Sequence, residues 1–396
     1  MGANVKIEGR WIFSGKPIRV ETDGPRISGI HEAAESEGLP YLAPGLVDLQ
    51  VNGYRGIDYS SPELKEGDVE ELVKMLAVSG TTQHVPTIIT NPRQTILRSL
   101  SILTRARRSS PALTSAIPGY HIEGPFISSV DGPRGAHSPN HVRAADVDEF
   151  REWQEAADGD IRIVTIAPEI PGAIELIEEI ARSGVLVSIG HSGASPEQVR
   201  EAVAAGARLS THLGNGSHAT IPRLKNYIWE QLAADELSAG LIADGFHLPS
   251  AVMKTFARAK GPDRLFLVSD VAVHGGKPPG VYEWGDINCE VFPDGHLGLY
   301  GSPPFLAGAG HLLDWDLAHF IDGTGMSLRD SIRLASIQPL RLLGMEHAEE
   351  LSVGQEANLV AFDYQVGDER LRVRTTVQCG RVLFQSGALD HVEDVH

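Results

Sequence analysis

The feature that most constrains the fold is a regular alternation of short apolar segments and amphipathic helices through the middle of the chain. Eight apolar segments predict buried strands, near residues 43–50, 82–89, 117–123, 161–167, 185–191, 207–212, 239–244 and 264–270. The stretches between them, such as A-I-E-L-I-E-E-I-A, carry apolar residues at helical spacing. Eight such units over about 220 residues predict an α/β fold, a (β/α)8 TIM barrel with its active site at the carboxyl ends of the strands. A doubly wound open sheet is the alternative, but no G-x-G-x-x-G follows the first strand.

The two ends of the chain have a different pattern, with short β-like runs and no helical period. Residues 1–45 contain V-K-I-E and R-W-I-F, and the last part of the chain contains A-N-L-V-A-F-D and V-Q-C-G-R-V-L-F. We predict that residues 1–45 and 346–396 pair into one small β-sandwich domain. Residues 46–345 then form the barrel domain.

The charge balance limits the partners that this chain can take. With 34 basic and 52 acidic residues, the formal net charge is −18, so neither nucleic acid nor an anionic membrane is an expected partner. An anionic substrate needs a local basic pocket. The amino terminus has no apolar signal region, and no apolar run approaches the roughly 20 residues that span a bilayer. A cytoplasmic location is therefore expected.

Several predicted strands end in a residue that can do chemistry. Glu123, His191 and His212 stand at three such ends, and in a barrel these positions converge on one mouth. Only Cys289 and Cys379 are present, so a metal ion needs ligands from His, Asp or Glu. Two imidazoles and one carboxylate are the ligand set of many catalytic zinc sites, where a metal-bound water becomes the nucleophile.

Asp270 ends the eighth predicted strand, and Asp244 and His247 follow the seventh. A carboxylate beside metal-bound water can accept its proton and later pass it to a leaving amine. We therefore predict Asp270 as the general base and acid; a helix cap or a salt bridge is the structural alternative.

The first strand carries Gln50 and Asn52 on the same side, since side chains along a strand alternate. Two histidines there would make a pair of metal ligands, but amides are poor ligands beside imidazole or carboxylate. The metal has therefore either been lost or is held elsewhere.

The motifs of the whole chain, taken together, resemble those of the amidohydrolase superfamily, and specifically of the N-acetylglucosamine-6-phosphate deacetylase family. The motifs that carry the resemblance are P-G-L-V-D-L-Q-V-N-G, H-I-E-G-P-F, G-A-H-S-P, G-H-S-G-A-S, T-H-L-G-N, I-A-D-G-F-H and L-V-S-D. One branch of this family has Gln-x-Asn after the first strand and keeps a single metal on the remaining site. The resemblance thus implies one metal held by Glu123, His191 and His212, with zinc expected first and iron, manganese or cobalt as alternatives. Gln50 is then expected to orient a water or the substrate, or to bond to a neighbouring loop.

The resemblance also implies metal-dependent removal of acetate from N-acetylglucosamine 6-phosphate, leaving glucosamine 6-phosphate. His137 matches the family histidine that polarises the acetyl carbonyl, and Arg223 matches a phosphate-binding arginine. The other residues expected to contact substrate are Gln50, Ala136, Asn215, Gly216, His247, Leu306, Ala307 and Gly308. A homodimer, in which one subunit lends a residue to its neighbour's phosphate site, is expected from the family.

Two departures from the family pattern leave alternatives open. The segment N-G-S-H-A-T-I-P-R-L-K adds the basic residues His218 and Lys225, which strengthen phosphate binding or fit the pocket to another ligand. Residues 274–304 predict an irregular insertion with a hairpin, either a surface loop or a lid over the substrate. The alternative functions are deacetylation of N-acetylgalactosamine 6-phosphate, hydrolysis of a cyclic amide, and non-catalytic binding of a sugar phosphate.

Overall fold

The computed structural model describes residues 4–302, 305–345 and 348–387. The strands, in chain order, are β1 (Lys6–Trp11), β2 (Pro17–Asp23), β3 (Arg26–Glu32), β4 (Tyr41–Pro44), β5 (Leu46–Val51), β6 (Gly53–Tyr54), β7 (Ile57–Asp58), β8 (Thr81–Ile89), β9 (Tyr120–Glu123), β10 (Ile161–Ile166), β11 (Leu186–Ile189), β12 (Ala207–Ser210), β13 (Ser238–Leu241), β14 (Leu265–Leu267), β15 (Gly280–Trp284), β16 (Ile287–Val291), β17 (Leu297–Leu299), β18 (Leu359–Asp363), β19 (Arg372–Gln378) and β20 (Arg381–Gln385). The α-helices are α1 (Glu66–Leu76), α2 (Arg93–Arg108), α3 (Pro111–Ala116), α4 (Val147–Ala156), α5 (Ala173–Arg182), α6 (Pro196–Ala205), α7 (Tyr227–Ala233), α8 (Ser250–Lys260), α9 (Leu313–Thr324), α10 (Leu328–Leu334) and α11 (Ile337–Leu342). None of these described helices is long and apolar enough to cross a membrane.

The eight predicted strands form one parallel sheet, in the order β5, β8, β9, β10, β11, β12, β13 and β14. The sheet closes between its first and last strands, where Val51 bridges Val271 and the Asp270 amide donates to the Gln50 carbonyl at 3.0 Å. The prediction of a (β/α)8 barrel is confirmed. The closing seam lies beside Gln50 and Asp270, two of the predicted site residues.

Burial explains why these segments form strands and helices. All six residues of β5 are buried, as expected for a parallel strand that is covered on both faces. In α5 the buried residues Ala173, Leu176, Ile177 and Ile180 fall on one face, which packs on the barrel while charged residues face water. The helices therefore form an outer layer that keeps the strand ends fixed.

The two ends of the chain meet in one seven-stranded sheet, ordered β20, β19, β18, β4, β1, β2 and β3. This sheet curls on itself, because Arg26 at the start of β3 forms a bridge with Glu356 just before β18. Between its two halves, Ile27 and Val20 share a buried core with Leu359 and Val377. The barrel begins directly afterwards, at Leu46, while the boundaries predicted at residues 45 and 345 stay a prediction.

The insertion predicted at residues 274–304, of which 303 and 304 lie outside the described residues, contains a small antiparallel sheet of three strands. Its strands are ordered β15, β16 and β17. The sheet is tied to the barrel by the Trp284 indole, whose Nε1 donates to Asp58 Oδ2 at 3.0 Å. This anchor holds the insertion over the carboxyl ends of the barrel strands.

Candidate active site

The carboxyl ends of the barrel strands surround a cavity of about 580 Å³. In (β/α)8 barrels this end carries the active site. The predicted site residues on its wall are Glu123, Ala136, His137, His191, His212, Asn215, Gly216, His247, Asp270, Leu306 and Gly308. Residues that are far apart in the chain thus meet in one place.

Glu123, His191 and His212 form a buried cluster able to hold a metal ion, with their ligand atoms all within 4.8 Å of one another. The two imidazole Nε2 atoms lie 3.0 Å apart. They lie 3.3 Å (His191) and 3.2 Å (His212) from Glu123 Oε1. Ligands about 2.1 Å from a tetrahedral zinc ion are about 3.4 Å apart. The cluster therefore fits a divalent cation of this size.

Neighbouring groups fix the orientation of the His191 ring. Its Nδ1 lies 3.0 Å from the Pro133 carbonyl and donates a hydrogen bond to it, which leaves Nε2 with a lone pair for a cation. Gly216 packs against the same ring, since a Cβ at that position would stand 2.8 Å from Nδ1, and its φ is +54°. The ring of His212 has no such partner, because its buried Nδ1 makes no hydrogen bond within the described residues.

Gln50 and Asn52 bind Asp270 directly. Gln50 Nε2 donates to Asp270 Oδ1 at 2.9 Å and to Glu123 Oε1 at 2.8 Å. Asn52 Nδ2 donates to the same Asp270 oxygen at 2.7 Å. The amides of Gln50 on β5 and of Asn52 just beyond its end position the carboxylate beside the cluster. Hydrogen bonds from amides to a carboxylate are charge-assisted and strong.

The two carboxylates at the site have opposite pKa shifts. Burial disfavours the charge of Glu123, but its interactions with the His191 and His212 rings outweigh this effect and hold the pKa of Glu123 well below its usual range. For Asp270, burial and then the nearby charge of Glu123 raise the pKa to about 6. Two carboxylates whose pKa values are separated by their surroundings are typical of a site with distinct ligand and proton-transfer roles.

Three of the site residues have left-handed backbone conformations, with φ of 50° at His191, 29° at His212 and 52° at Asp270. Each lies two or three residues beyond the end of its strand. Such conformations cost free energy for residues other than glycine and concentrate at functional sites. Here they turn the side chains from the strand direction into the cavity.

His137 lies against the cluster on its open side. Its Nδ1 is 2.8 Å from the Thr90 hydroxyl, and its Nε2 is 3.1 Å from His191 Nε2. Burial and the neighbouring His191 hold the pKa of His137 well below its usual range. A neutral imidazole therefore borders the cavity at this point.

Asp244 orients His247 rather than facing the cluster. Its Oδ2 lies 2.7 Å from His247 Nδ1, and its Oδ1 accepts the backbone amides of Phe246 and His247. Burial opposes the charge of Asp244, but the His247 interactions outweigh it and lower the pKa of Asp244 to about 2. His247 is the member of this pair that lines the cavity.

Three predicted substrate contacts do not lie on the cavity wall. Gln50 is buried beneath it, and Ala307 is buried between the lining residues Leu306 and Gly308. Arg223 is exposed and contributes its backbone carbonyl to a 3.1 Å hydrogen bond from the Trp229 indole. Its predicted role stays a prediction.

The structure adds aromatic residues to the wall that the sequence did not single out. They are Phe246, Trp284, His296 and Phe305. Trp284 and His296 belong to the insertion, so this segment forms part of the cavity. The only sequence signal for this was the presence of aromatic residues in a Gly- and Pro-rich segment, which is a weak one.

Comparisons with known proteins agree with this geometry. The profile of the amidohydrolase family matches residues 41–383. N-acetylglucosamine-6-phosphate deacetylase of Bos taurus is 33% identical, over 87% of this chain and 83% of that protein. The Homo sapiens enzyme of the same name is 30% identical, over 98% of this chain and 94% of that protein.

A similar fold is seen in a mutant of N-acetyl-D-glucosamine-6-phosphate deacetylase from Mycobacterium smegmatis in complex with N-acetyl-D-glucosamine-6-phosphate. The TM-score is 0.84 at 26% identity, and the match covers 97% of this chain and 100% of that chain. The matched residues include both the barrel and most of the terminal sheet. The chain therefore belongs to the amidohydrolase family and, within it, to the family of the N-acetylglucosamine-6-phosphate deacetylases.

Proposed function

We propose that this protein hydrolyses the acetamide of N-acetylglucosamine 6-phosphate, releasing acetate and glucosamine 6-phosphate. The observation that carries this proposal is the buried Glu123, His191 and His212 cluster with the Asp270 carboxylate held beside it by two amides. This arrangement suits attack by water on an amide carbonyl. The named relatives supply the choice of substrate.

We propose zinc as the metal, with iron, manganese and cobalt as alternatives that suit the same ligands. Glu123 supplies an oxygen, and His191 and His212 supply their Nε2 atoms. When bound, a divalent cation here supplies Lewis acidity, which lowers the pKa of water and polarises a carbonyl oxygen.

Asp270 transfers the proton in the proposed mechanism. Its carboxylate accepts a proton from the attacking water as the new carbon–oxygen bond forms, and it returns the proton to the amine as the carbon–nitrogen bond breaks. Gln50 and Asn52 keep one carboxylate oxygen fixed during both transfers. His137 then stands where a ring N–H donates to the carbonyl oxygen as negative charge develops on it.

The sugar phosphate occupies the outer part of the cavity in this proposal, against Asn215, Gly216 and His247. Leu306 and Gly308 contact the sugar from the opposite loop, with Ala307 supporting them from behind.

A phosphorylated sugar does not cross a bilayer unaided, because its charge would have to leave water. This supports a cytoplasmic location.

We further propose a homodimer in which Arg223 reaches the cavity of the neighbouring subunit. Arg223 is exposed and off the wall of its own cavity. The apolar side chains of Ile221, Leu224 and Trp229 around it are 37%, 78% and 49% exposed. Exposed apolar residues clustered in this way are typical of a protein interface.

The proposed function is tested by acetate release from N-acetylglucosamine 6-phosphate, before and after chelation and zinc restoration. N-acetylgalactosamine 6-phosphate and unphosphorylated N-acetylglucosamine are the matched comparison substrates. Turnover that needs the metal and falls without the phosphate is the expected result. A zinc-loaded protein that releases no acetate from the first substrate contradicts the proposal.

A further inference from the structure

The part of the cavity that one subunit forms by itself has little permanent positive charge for a site that takes a phosphate. No Lys or Arg side chain from residues 4–302, 305–345 or 348–387 lines it. The protein as a whole has a formal charge of −18, so the long-range field repels an anion. Apart from the metal ligands and the adjoining His137, the side chains on its wall that can become cationic are His218, His247 and His296.

Two of these three histidines are already paired with a carboxylate. His247 Nδ1 lies 2.7 Å from Asp244 Oδ2, and His296 Nδ1 lies 2.5 Å from Asp294 Oδ1. A positive charge on either ring is therefore balanced within the protein. His218 has no carboxylate partner among the described residues, and its side chain bonds only to the Tyr227 hydroxyl.

Tyr227 holds the His218 ring in one orientation. The Tyr227 oxygen accepts the His218 backbone N–H at 2.9 Å and lies 3.1 Å from His218 Nδ1. The ring also lies over Gly193, where a Cβ would stand 2.7 Å from His218 Cε1. Because Tyr227 is buried, this orientation is set before any ligand arrives.

This orientation allows His218 Nε2 to donate a hydrogen bond in both forms of the ring. In the neutral tautomer with the ring proton on Nε2, Tyr227 O–H donates to Nδ1. In the protonated form, Nδ1 donates to the Tyr227 oxygen and Nε2 still carries a proton. Nε2 has no hydrogen-bond partner within the described chain, and it is not among the buried unpaired atoms.

We propose that His218 binds the substrate's phosphate through Nε2 and contributes to the preference for a phosphorylated over an unphosphorylated sugar. The inference rests on the proposed function. His218 lies two residues beyond Gly216, on the loop expected to meet the phosphate. A hydrogen bond from Nε2 to a phosphate oxygen is charge-assisted, and among the described residues of the same subunit His218 is the ionisable ring on the outer wall that lacks a carboxylate partner.

The test compares KM and kcat of zinc-loaded wild type, His218→Ala, His218→Gln and Tyr227→Phe. His218→Ala is expected to raise KM for N-acetylglucosamine 6-phosphate about tenfold or more, with kcat within about twofold, because binding rather than chemistry loses a charge-assisted bond. The kcat/KM for unphosphorylated N-acetylglucosamine stays the same. His218→Gln keeps a hydrogen-bond donor without the charge, so it is expected to raise KM for the phosphorylated substrate less than His218→Ala does. Tyr227→Phe is expected to raise this KM least.

His31→Gln is the matched control, since the His31 side chain is 56% exposed in the terminal sheet and far from the cavity in sequence and structure. Metal content and melting temperature confirm that each variant is folded. An equal loss on both substrates, or no change in KM for the phosphorylated one, overturns the assignment of His218.

Titration calorimetry with glucosamine 6-phosphate separates this inference from the proposed function. If wild type turns over the phosphorylated substrate and His218→Ala matches it, the inference alone fails. If wild type shows no turnover, the proposed function fails. The role of His218 is then tested by the binding of glucosamine 6-phosphate alone. Weaker binding of glucosamine 6-phosphate by His218→Ala, with glucosamine binding unchanged, supports the inference; equal binding, or none by wild type, overturns it.

Discussion

The amides of Gln50 and Asn52, at the carboxyl end of the first barrel strand, provide the sharpest test of how the site is built. The side chain of Asn52 bonds to Asp270 only, whereas that of Gln50 bonds to both Asp270 and Glu123 of the proposed metal cluster. Asn52→Leu and Gln50→Met keep the approximate size of each side chain and remove its donor. Asn52→Leu is expected to disturb only Asp270, the proposed general base, whereas Gln50→Met is expected to disturb Asp270 and the proposed metal site as well.

The expected size of each effect follows from the hydrogen bonds lost. A hydrogen bond to a charged group contributes about 1.5–3 kcal/mol, so loss of the Asn52 contact is expected to lower kcat about 10- to 100-fold. Metal affinity stays at the wild-type value, because no ligand loses a partner. Gln50→Met is expected to lower kcat similarly and also to weaken metal binding about 10- to 100-fold, as loss of a ligand's supporting hydrogen bond does.

The assay pairs steady-state acetate release with zinc affinity measured by competition with a chromophoric chelator. Both variants are compared at saturating zinc. A change in kcat then reflects the proton transfer by Asp270 and not the fraction of protein that holds zinc. Loss of zinc affinity in Asn52→Leu, or unchanged affinity in Gln50→Met, would refute the division of roles between the two amides.

Three further predictions follow from the same contacts. Asp270→Asn is expected to keep its metal and to lower kcat about 100- to 10,000-fold, as removal of a general base does. Acetate release at a near-normal rate contradicts the role of Asp270 as general base. Chelation is expected to lower the melting temperature and zinc to restore it, since zinc at about 100 times its Kd stabilises the folded state by about 2.7 kcal/mol; an unchanged melting temperature in calorimetry argues against metal binding at the cluster. Because the pKa of Asp244 falls from 3.8 to about 2, its stabilisation is present above pH ~4 and lost as the pH falls through about 2. Urea unfolding of metal-free protein should therefore show Asp244→Asn about 2 kcal/mol less stable than wild type at pH 6, with the difference shrinking below pH 4; a difference independent of pH contradicts this.

The metal cluster was predictable from sequence because its signals are local. Glu123 is the last residue of β9, and His191 and His212 each lie two residues beyond the end of a buried strand. The carboxyl ends of parallel strands converge on one mouth. The family prediction is confirmed for the same reason, since its motifs are short runs around these strand ends. The partner of Gln50 was not predictable in this way: Asp270 is 220 residues away and meets it only across the closing seam of the barrel.

The sequence by itself determined the (β/α)8 barrel and the chemical groups at its strand ends, because strand and helix periodicity and residue type are properties of short segments. Only the tertiary structure decided how those groups are paired. It paired Asp244 with His247, left His218 without a carboxylate partner in the part of the chain that the structure describes, and brought Trp284 of the insertion to the cavity wall. These contacts join residues from separate loops, and their distances depend on how the barrel closes and where the insertion packs. No local pattern in the chain encodes that geometry.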